Sequence, residues 1–298
     1  GLDNKSMIRS KNMFALGMVY WMFSRPLDYT ERFLNQKFSK KPEIFEGNVR
    51  ALKAGYNYAD TIEALSSAAT VLPADMEPGL YKNVMGNEAT AWGFLAAAEK
   101  AGKELFLGSY PITPASDILH ELAKHKHFGA KAFQAEDEIA GITSAIGASF
   151  AGDLAITTTS GPGLALKGEA LGLAVMTELP LVVVDVQRGG PSTGLPTKTE
   201  QSDLLQALYG RNGESPVVIV AAKSPADCFA MAYRASKIAL EHITPVLLLT
   251  DGYVANGSQP WKIQKTEDME DIKPHIVEES MLNWNPYERD ANTLARYW

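Results

Sequence analysis

Between residues 83 and 255, short apolar runs alternate with segments of helical period, and this order leaves little choice of fold. The runs are Glu104–Gly108, Lys131–Gln134, Leu154–Thr159, Leu181–Val186, Val217–Ala221 and Val246–Thr250. Between them lie Ser116–His125, Asp137–Phe150, Leu164–Thr177, Ser202–Tyr209 and Pro225–Glu241. Strand and helix alternating at this spacing predict an α/β domain with a doubly wound, mostly parallel six-stranded sheet. The runs are apolar on both sides, as strands covered on both faces must be. One helix start is legible, with Ser224 as N-cap, Pro225 at the first position and Asp227 at the third. No sequence repeat at a fixed period is visible.

The flanks differ in texture. Residues 1–82 are rich in Met and aromatics and predict short helices over Ser6–Ser24, Thr30–Phe38 and Glu43–Tyr56, with no strand-like alternation. A stretch this small makes a poor core alone. It reads as the end of a preceding domain, as an arm packing on a partner, or as a helical cap. Residues 256–298 turn polar, with scattered tryptophans, and read as a linker to a further domain. The most apolar early window, Met13–Phe23, is short of the ~20 residues of a bilayer span and lacks the order of a signal peptide. The expectation is a soluble, cytoplasmic protein without a membrane partner.

Charge and cysteine usage narrow the function. With 28 Lys+Arg against 35 Asp+Glu, the chain lacks the basic excess of a nucleic-acid grip. Its single cysteine, Cys228, leaves no internal disulfide, cysteine-ligated iron–sulfur cluster or Cys-rich zinc site. His120, His125 and His127 sit close in sequence without a completing ligand, so no metal is expected. Cys228 reads as a small buried apolar residue in a helix.

In open α/β sheets ligands bind beyond the carboxyl ends of the strands, so the loops after each run are the candidates. Tyr110-Pro111-Ile112-Thr113-Pro114 carries two prolines that hold Thr113 in a rigid, non-helical loop, where its hydroxyl could meet an anionic group. A plain helix start ahead of Ser116 explains the same residues. Glu136-Asp137-Glu138 precedes a helix of small residues; a carboxylate there either complements the helix dipole or, if desolvated, serves as a general acid/base. Ser160-Gly161-Pro162-Gly163 places backbone N–H groups at a turn before a helix, able to meet an anion or a ring edge. It is no Walker loop, and Gly-x-Gly-x-x-Gly is absent. Gln187–Gln201 is a long loop with two cations, Arg188 and Lys198, suited to a carboxylate; a mobile surface loop is the alternative.

Together YPITP, EDEIA, TSGPG and QRGGPSTGLPTKTEQ, in this order, resemble the α subunits of 2-oxoacid:ferredoxin oxidoreductases, over residues 83–260. The corresponding region is the pyrimidine-binding domain of thiamin-diphosphate enzymes. KSKNMFALG and GNEATAWGF are similar to forms with a γ domain fused ahead of α, which would make residues 1–82 the end of that γ domain plus a linker. The 2-oxoglutarate type is the likeness drawn, with pyruvate- and branched-chain types as alternatives and a non-catalytic assembly module as the reading from another class.

The resemblance implies a carboxylate beside N1′ of the thiamin aminopyrimidine. In thiamin enzymes that glutamate precedes a small-residue helix with a glycine nine positions on; Glu138 fits through Gly147, and Glu136 does not. Tyr110, Pro111, Ser160, Gly161, Pro162 and Gly163 would contact the cofactor, while Thr113, Lys198 and Arg188 would contact substrate. Lys198 stands where relatives often have arginine, and Arg188 has a structural role in its loop as the alternative. The Gly-Asp-Gly…Asn-Asn pattern that holds diphosphate and Mg²⁺ is absent, so a β subunit would supply it and the site would form between subunits. Iron–sulfur clusters would lie on other subunits, coenzyme A would be a co-substrate, and ferredoxin would accept electrons. A homodimer or hetero-oligomer is expected, with the fragment alone inactive.

Overall fold

The computed structural model describes residues 3–64, 69–277, 281, 283–292, 294 and 296–298, the side chain of Lys5 aside. Parts of the two flanks read above therefore lie outside the described residues. The chain divides into two compact units, Gly1–Pro78 and Gly79–Trp298, whereas the sequence reading divides it after residues 82 and 255.

The first unit contains helices α1 (Asn4–Met22), α2 (Asp28–Lys37) and α3 (Pro42–Thr61). Helices α1 and α3 pack backbone to backbone because Gly17 lies against the Leu52 carbonyl and Gly55 against that of Phe14; a Cβ at either would collide. Trp21 then donates its indole N–H to Asp60 at 2.8 Å. Each helix runs beyond or ahead of its expected span, α3 through Thr61 rather than Tyr56.

The second unit opens with β1 (Tyr81–Met85) and α4 (Gly86–Ala101) and continues β2 (Leu105–Ser109), α5 (Ser116–Leu122), β3 (Ala130–Gln134), α6 (Glu138–Phe150), β4 (Leu154–Thr159), α7 (Gly161–Met176) and β5 (Leu181–Gln187). It closes with α8 (Leu204–Tyr209), β6 (Val218–Ala221), α9 (Asp227–His242), β7 (Pro245–Asp251), α10 (Gly252–Asn256) and β8 (Ser258–Lys262). Among the described residues, a six-stranded sheet runs in the order β3-β2-β4-β5-β7-β6. Every adjacent pair in it is parallel. The sheet class read from the sequence therefore stands.

Val, Leu and Ile make these strands because both faces are covered: β4, β5 and β7 are buried at every residue. Alternation splits the core. Leu105, Leu107, Ile156, Val182, Val184 and Leu248 meet α4, α5 and α9 on one face. Val183 and Leu247 meet Ile142, Leu164 and Leu171 of α6 and α7 on the other.

Three expectations need correction. Tyr81 and Lys82, in the stretch expected to be strand-free, pair with Lys262 and Trp261 in a β1–β8 ribbon. Helix α4 was not expected: its Ala- and Gly-rich run is apolar nearly all round and carries little periodicity. The α9 start also shifts, since regular helix begins at Asp227 although Ser224 Oγ still accepts from the Asp227 N–H at 3.3 Å. Beyond β8, Trp298 donates to the Ser149 carbonyl at 3.0 Å, and Trp261 stacks with Phe229 at 4.8 Å between centroids. Among the described residues, no helix is long and apolar enough to cross a membrane.

Candidate active site at the sheet switch point

Chain order along the sheet reverses between β2 and β4: β3 lies to one side of β2 and β4 to the other. The loops leaving β2 and β4 therefore part to opposite sides and open a crevice between them. Tyr110 leaves β2, and the Thr157-Thr158-Thr159-Ser160 run ends β4. Period two sends Thr157 and Thr159 to one face and Thr158 to the other. Thr158 meets Ser109 Oγ, Thr159 meets Tyr110 Oη at 2.9 Å, and Thr157 accepts from Lys167 Nζ at 3.0 Å.

Three side chains converge in this corner, over Gly163. A Cβ on Gly163, in the first turn of α7, would strike Thr159 Oγ1 and Tyr110 Oη and would come within 3.0 Å of Glu138 Cγ. Glycine is thus required for the two hydroxyls and the Glu138 side chain to share the space over α7. Burial, with the hydrogen bond and charge of Glu138 adding to it, pushes the Tyr110 phenol far above its ordinary range, against the opposing bond from Thr159. Glu138 is the first residue of α6, after Asp137, whose carboxylate caps the helix by accepting from the Ala140 N–H at 2.8 Å. Glu138 is half-buried and turned into the corner, whereas Glu136 is exposed in the preceding bend. Ser160 N-caps α7 and is fully buried, yet its Oγ meets no partner. Pro162 sits in the first turn of that helix, where a missing N–H costs nothing.

Lys167 is not among the residues expected from the sequence. It lies on α7 at 0% exposure and donates to the Glu138 carbonyl at 2.7 Å as well as to Thr157. Its ammonium stands 5.2 Å from the Tyr110 ring centroid. Burial brings its pKa down to about 7, and the charges of Glu138 and Asp137 oppose that fall. The available signal was its position: Lys167 falls three residues after Leu164 and four before Leu171, in the apolar stripe.

The YPITP loop is held from two sides. Asn87 donates to the Pro114 carbonyl at 2.8 Å, and Arg188 Nη1 to that of Thr113 at 2.6 Å. Arg188 Nη2 reaches the Thr193 carbonyl at 2.7 Å, so this buried guanidinium ties two loops together. Thr113 itself is exposed. The 188–203 loop is internally bonded: Gly189 N–H meets the Lys198 carbonyl at 2.8 Å, Gly190 N–H meets Glu200 at 3.0 Å, and Gln201 donates to Asp251 at 2.7 Å. Lys198 is exposed on it. A cleft of about 670 Å³ separates this loop from the start of α7, lined by Gly161, Pro162, Arg188, Pro191, Thr193 and Asp203. A second, of about 780 Å³, lies past β6 and β7 against Lys223, Tyr253 and Gln259.

Beside the first cleft stands a carboxyl pair, also absent from the sequence reading. Asp185, in the middle of β5, is fully buried and neither oxygen meets a donor. Its neighbour is Asp203, whose carboxylate lies against Gly161. Burial and then the Asp203 charge raise Asp185 well above the carboxylate range; burial raises Asp203 too. A proton held on Asp185 supplies the missing donor between them.

Of the histidines named above, His120 meets Asp117 and His125 meets Glu121, each on its own helix or the turn after it. Glu121 accepts from Lys124, His125 and Trp92, and these bonds outweigh its burial to hold it down at about 2. His127 packs tilted against Phe128, 4.3 Å between ring centroids. Burial pushes the Cys228 thiol up to about 12, as for an inert core residue.

Residues 97–290 match the family model described as pyruvate flavodoxin/ferredoxin oxidoreductase, thiamine-diphosphate-binding. The chain is 58% identical over 296 residues to the 2-oxoglutarate oxidoreductase subunit KorA of Mycobacterium tuberculosis, covering 99% of this chain and 45% of that protein. It is 46% identical over 174 residues to the 2-oxoglutarate synthase subunit KorA of Archaeoglobus fulgidus, 58% of this chain and 49% of that one. A solved 2-oxoglutarate:ferredoxin oxidoreductase from Magnetococcus marinus, with 2-oxoglutarate, coenzyme A and succinyl-CoA bound, superposes with a TM-score of 0.84 at 38% identity. That match covers 99% of this chain and 51% of the other. The chain thus spans about half the length of the relatives it matches.

Proposed function

The chain belongs to the pyruvate flavodoxin/ferredoxin oxidoreductase family, and from that premise we propose that it is the pyrimidine-binding part of a 2-oxoglutarate:ferredoxin oxidoreductase α subunit. The reaction is oxidative decarboxylation of 2-oxoglutarate to succinyl-CoA and CO₂, with electrons passed to ferredoxin. The observation that carries the reading is the corner at the β2/β4 switch point. Glu138, Tyr110 and Thr159 converge there over a glycine that admits no Cβ. With Tyr81 and Lys82 taken into β1, the residues before them are then the end of a preceding γ-like domain plus linker, and those after β8 lead towards a further domain.

The corner suits an aminopyrimidine. It offers a half-buried carboxylate for a ring nitrogen and the orphaned Ser160 Oγ, and Gly161 and Pro162 line the cleft of about 670 Å³ at the start of α7. Tyr110 and Pro111 would close one side. When bound, thiamin diphosphate supplies a nucleophilic carbon and an electron sink for decarboxylation of a 2-oxoacid. Glu138 would present its carboxylate to the ring nitrogen from a helix start fixed by the Asp137 cap. Thr113 presents a hydroxyl to the substrate carboxylate, and Arg188 holds the Thr113 backbone in place while Lys198 offers a point charge to a second carboxylate. A β subunit supplies the Mg²⁺ and diphosphate contacts. The iron–sulfur clusters would lie outside this chain, since Cys228 cannot ligate one alone.

The test is co-expression with the matching β subunit and a 2-oxoglutarate, pyruvate and 2-oxoisovalerate panel with a viologen dye as acceptor. Reduction should be strongest with 2-oxoglutarate, and Glu138→Gln should abolish it with the complex still assembled. Full activity in that variant would remove Glu138 from the chemistry.

A further inference from the structure

Lys167 is in an expensive place. It is fully buried, and it faces the first turn of α6, the positive end of a helix dipole. An unbranched apolar side chain such as methionine would fill similar volume without the desolvation cost. Packing therefore does not account for an amine here. What surrounds the amine does: its hydrogen bonds run to the Glu138 carbonyl at 2.7 Å and to Thr157 Oγ1 at 3.0 Å. The titratable groups facing it are Tyr110 from the end of β2, with Asp137 and Glu138 from the start of α6; β4 presents the Thr157 hydroxyl. The cap residue, the candidate acid/base and the phenol that meets it thus all surround one amine.

Resting on the reading of Glu138 given above, we propose that Lys167 is the positioning residue of this site, pinning the first turn of α6 to β4 so that the Glu138 carboxylate enters the corner over Gly163, and biasing that carboxylate through its own charge. The carbonyl of Glu138 and its side chain belong to one residue, so fixing the former at 2.7 Å limits where the latter can point. The bias follows from charge. Protonated, Lys167 favours the ionised Glu138; neutral, it does not, and the ammonium is desolvated enough for both states to be populated near neutrality. Coupling of this kind is reciprocal: the Glu138 charge must act on Lys167 as strongly as Lys167 acts on it.

Reciprocity sets the experiment, on the complete enzyme with its β subunit. In cofactor-free complex labelled with [ε-¹³C]lysine, one resonance should titrate near pH 7, be missing in Lys167→Met, and move to lower pH in Glu138→Gln. In the loaded enzyme, Lys167→Met should lower kcat about tenfold or more, with KM for the 2-oxoacid changed less than about twofold. The pH–rate limb near 7 should vanish with it. A resonance titrating in the ordinary lysine range, a midpoint indifferent to Glu138→Gln, or unchanged kcat in Lys167→Met would each overturn the inference. If Lys167→Met does not fold, the wild-type titration and its response to Glu138→Gln decide alone. Undiminished activity in Glu138→Gln would instead refute the proposed function, whatever the lysine titration shows.

Discussion

Lys167 reaches the Glu138 carbonyl from beneath the first turn of α6, a hydrogen bond of 2.7 Å between a fully buried amine and the residue aimed at the Tyr110–Thr159 corner. It leaves a trace in stability. With a folded pKa near 7 against 10.5 for an ordinary lysine, the unfolded chain binds a proton between those values that the native chain does not. Stability then rises with pH across that window, by at most ~1.4 kcal/mol per unit. Below about 7 the burial cost is present in full. Lys167→Met should therefore be more stable than the parent at pH 6, with the difference shrinking towards pH 9. Urea midpoints across that range check it, and a constant difference would mean that the amine does not titrate there.

Gly163 makes a second prediction, because Tyr110 Oη and Thr159 Oγ1 occupy the place of its missing Cβ. Gly163→Ala should cost roughly 1–3 kcal/mol of stability and displace Glu138. Gly147 on α6 is the contrast, since nothing lies within 4 Å of a Cβ built there. Gly147→Ala should stabilise the folded chain by about 0.5–1 kcal/mol, the usual helix-interior gain. Thermal unfolding of both variants decides; equal effects would mean that the corner is loosely packed.

These two positions show how far the sequence could be read. The β runs and their loops were legible because apolar periodicity and proline–glycine punctuation are local signals. Thr113, Glu138 and Gly163 were singled out because they follow the β runs, and the choice of Glu138 over Glu136 rested on the resemblance to thiamin enzymes, through the spacing to Gly147. That Tyr110, from β2, meets Thr159, from β4, depends on the strand order β3-β2-β4, which no local pattern encodes. Lys167 and Asp185 were missed for the same reason: each reads locally as an ordinary residue of an apolar helix or strand, and its meaning comes from across the sheet. Helix α4 escaped because an evenly apolar helix has no polar face to mark its period.

Asp185 and Asp203 carry the opposite pH signature. Burial raises both, so between the ordinary carboxylate value of 3.8 and the folded values the native chain binds more protons than the unfolded one. Stability from this pair is present at low pH and falls as pH rises through the window. Asp185→Asn supplies a donor to Asp203 without a proton and should remove that fall. At pH 8 its Tm should exceed the parent's by roughly 2–4 °C for each kcal/mol regained, with little difference at pH 4. A Tm at pH 8 no higher than the parent's would mean that the pair costs the native chain nothing there.

Arg188 and Lys198 stand ten positions apart in one loop, and their surroundings assign them different work. Arg188 is 7% exposed, with both terminal nitrogens on the Thr113 and Thr193 carbonyls; Lys198 is exposed. A residue that sets the YPITP backbone should act on every 2-oxoacid alike, because the proposed function puts Thr113 against the part those substrates share. Arg188→Lys cannot span two carbonyls with a single ammonium, and kcat/KM should fall about tenfold for 2-oxoglutarate and pyruvate together. A point charge on an exposed loop matters only to the substrate with a second carboxylate. Lys198→Met should therefore lower kcat/KM for 2-oxoglutarate about tenfold while changing that for pyruvate less than about threefold. Kinetics of both variants on both substrates in the complete complex separate the roles. Equal losses on the two acids in Lys198→Met would take Lys198 out of substrate selection and leave that task to the partner subunit.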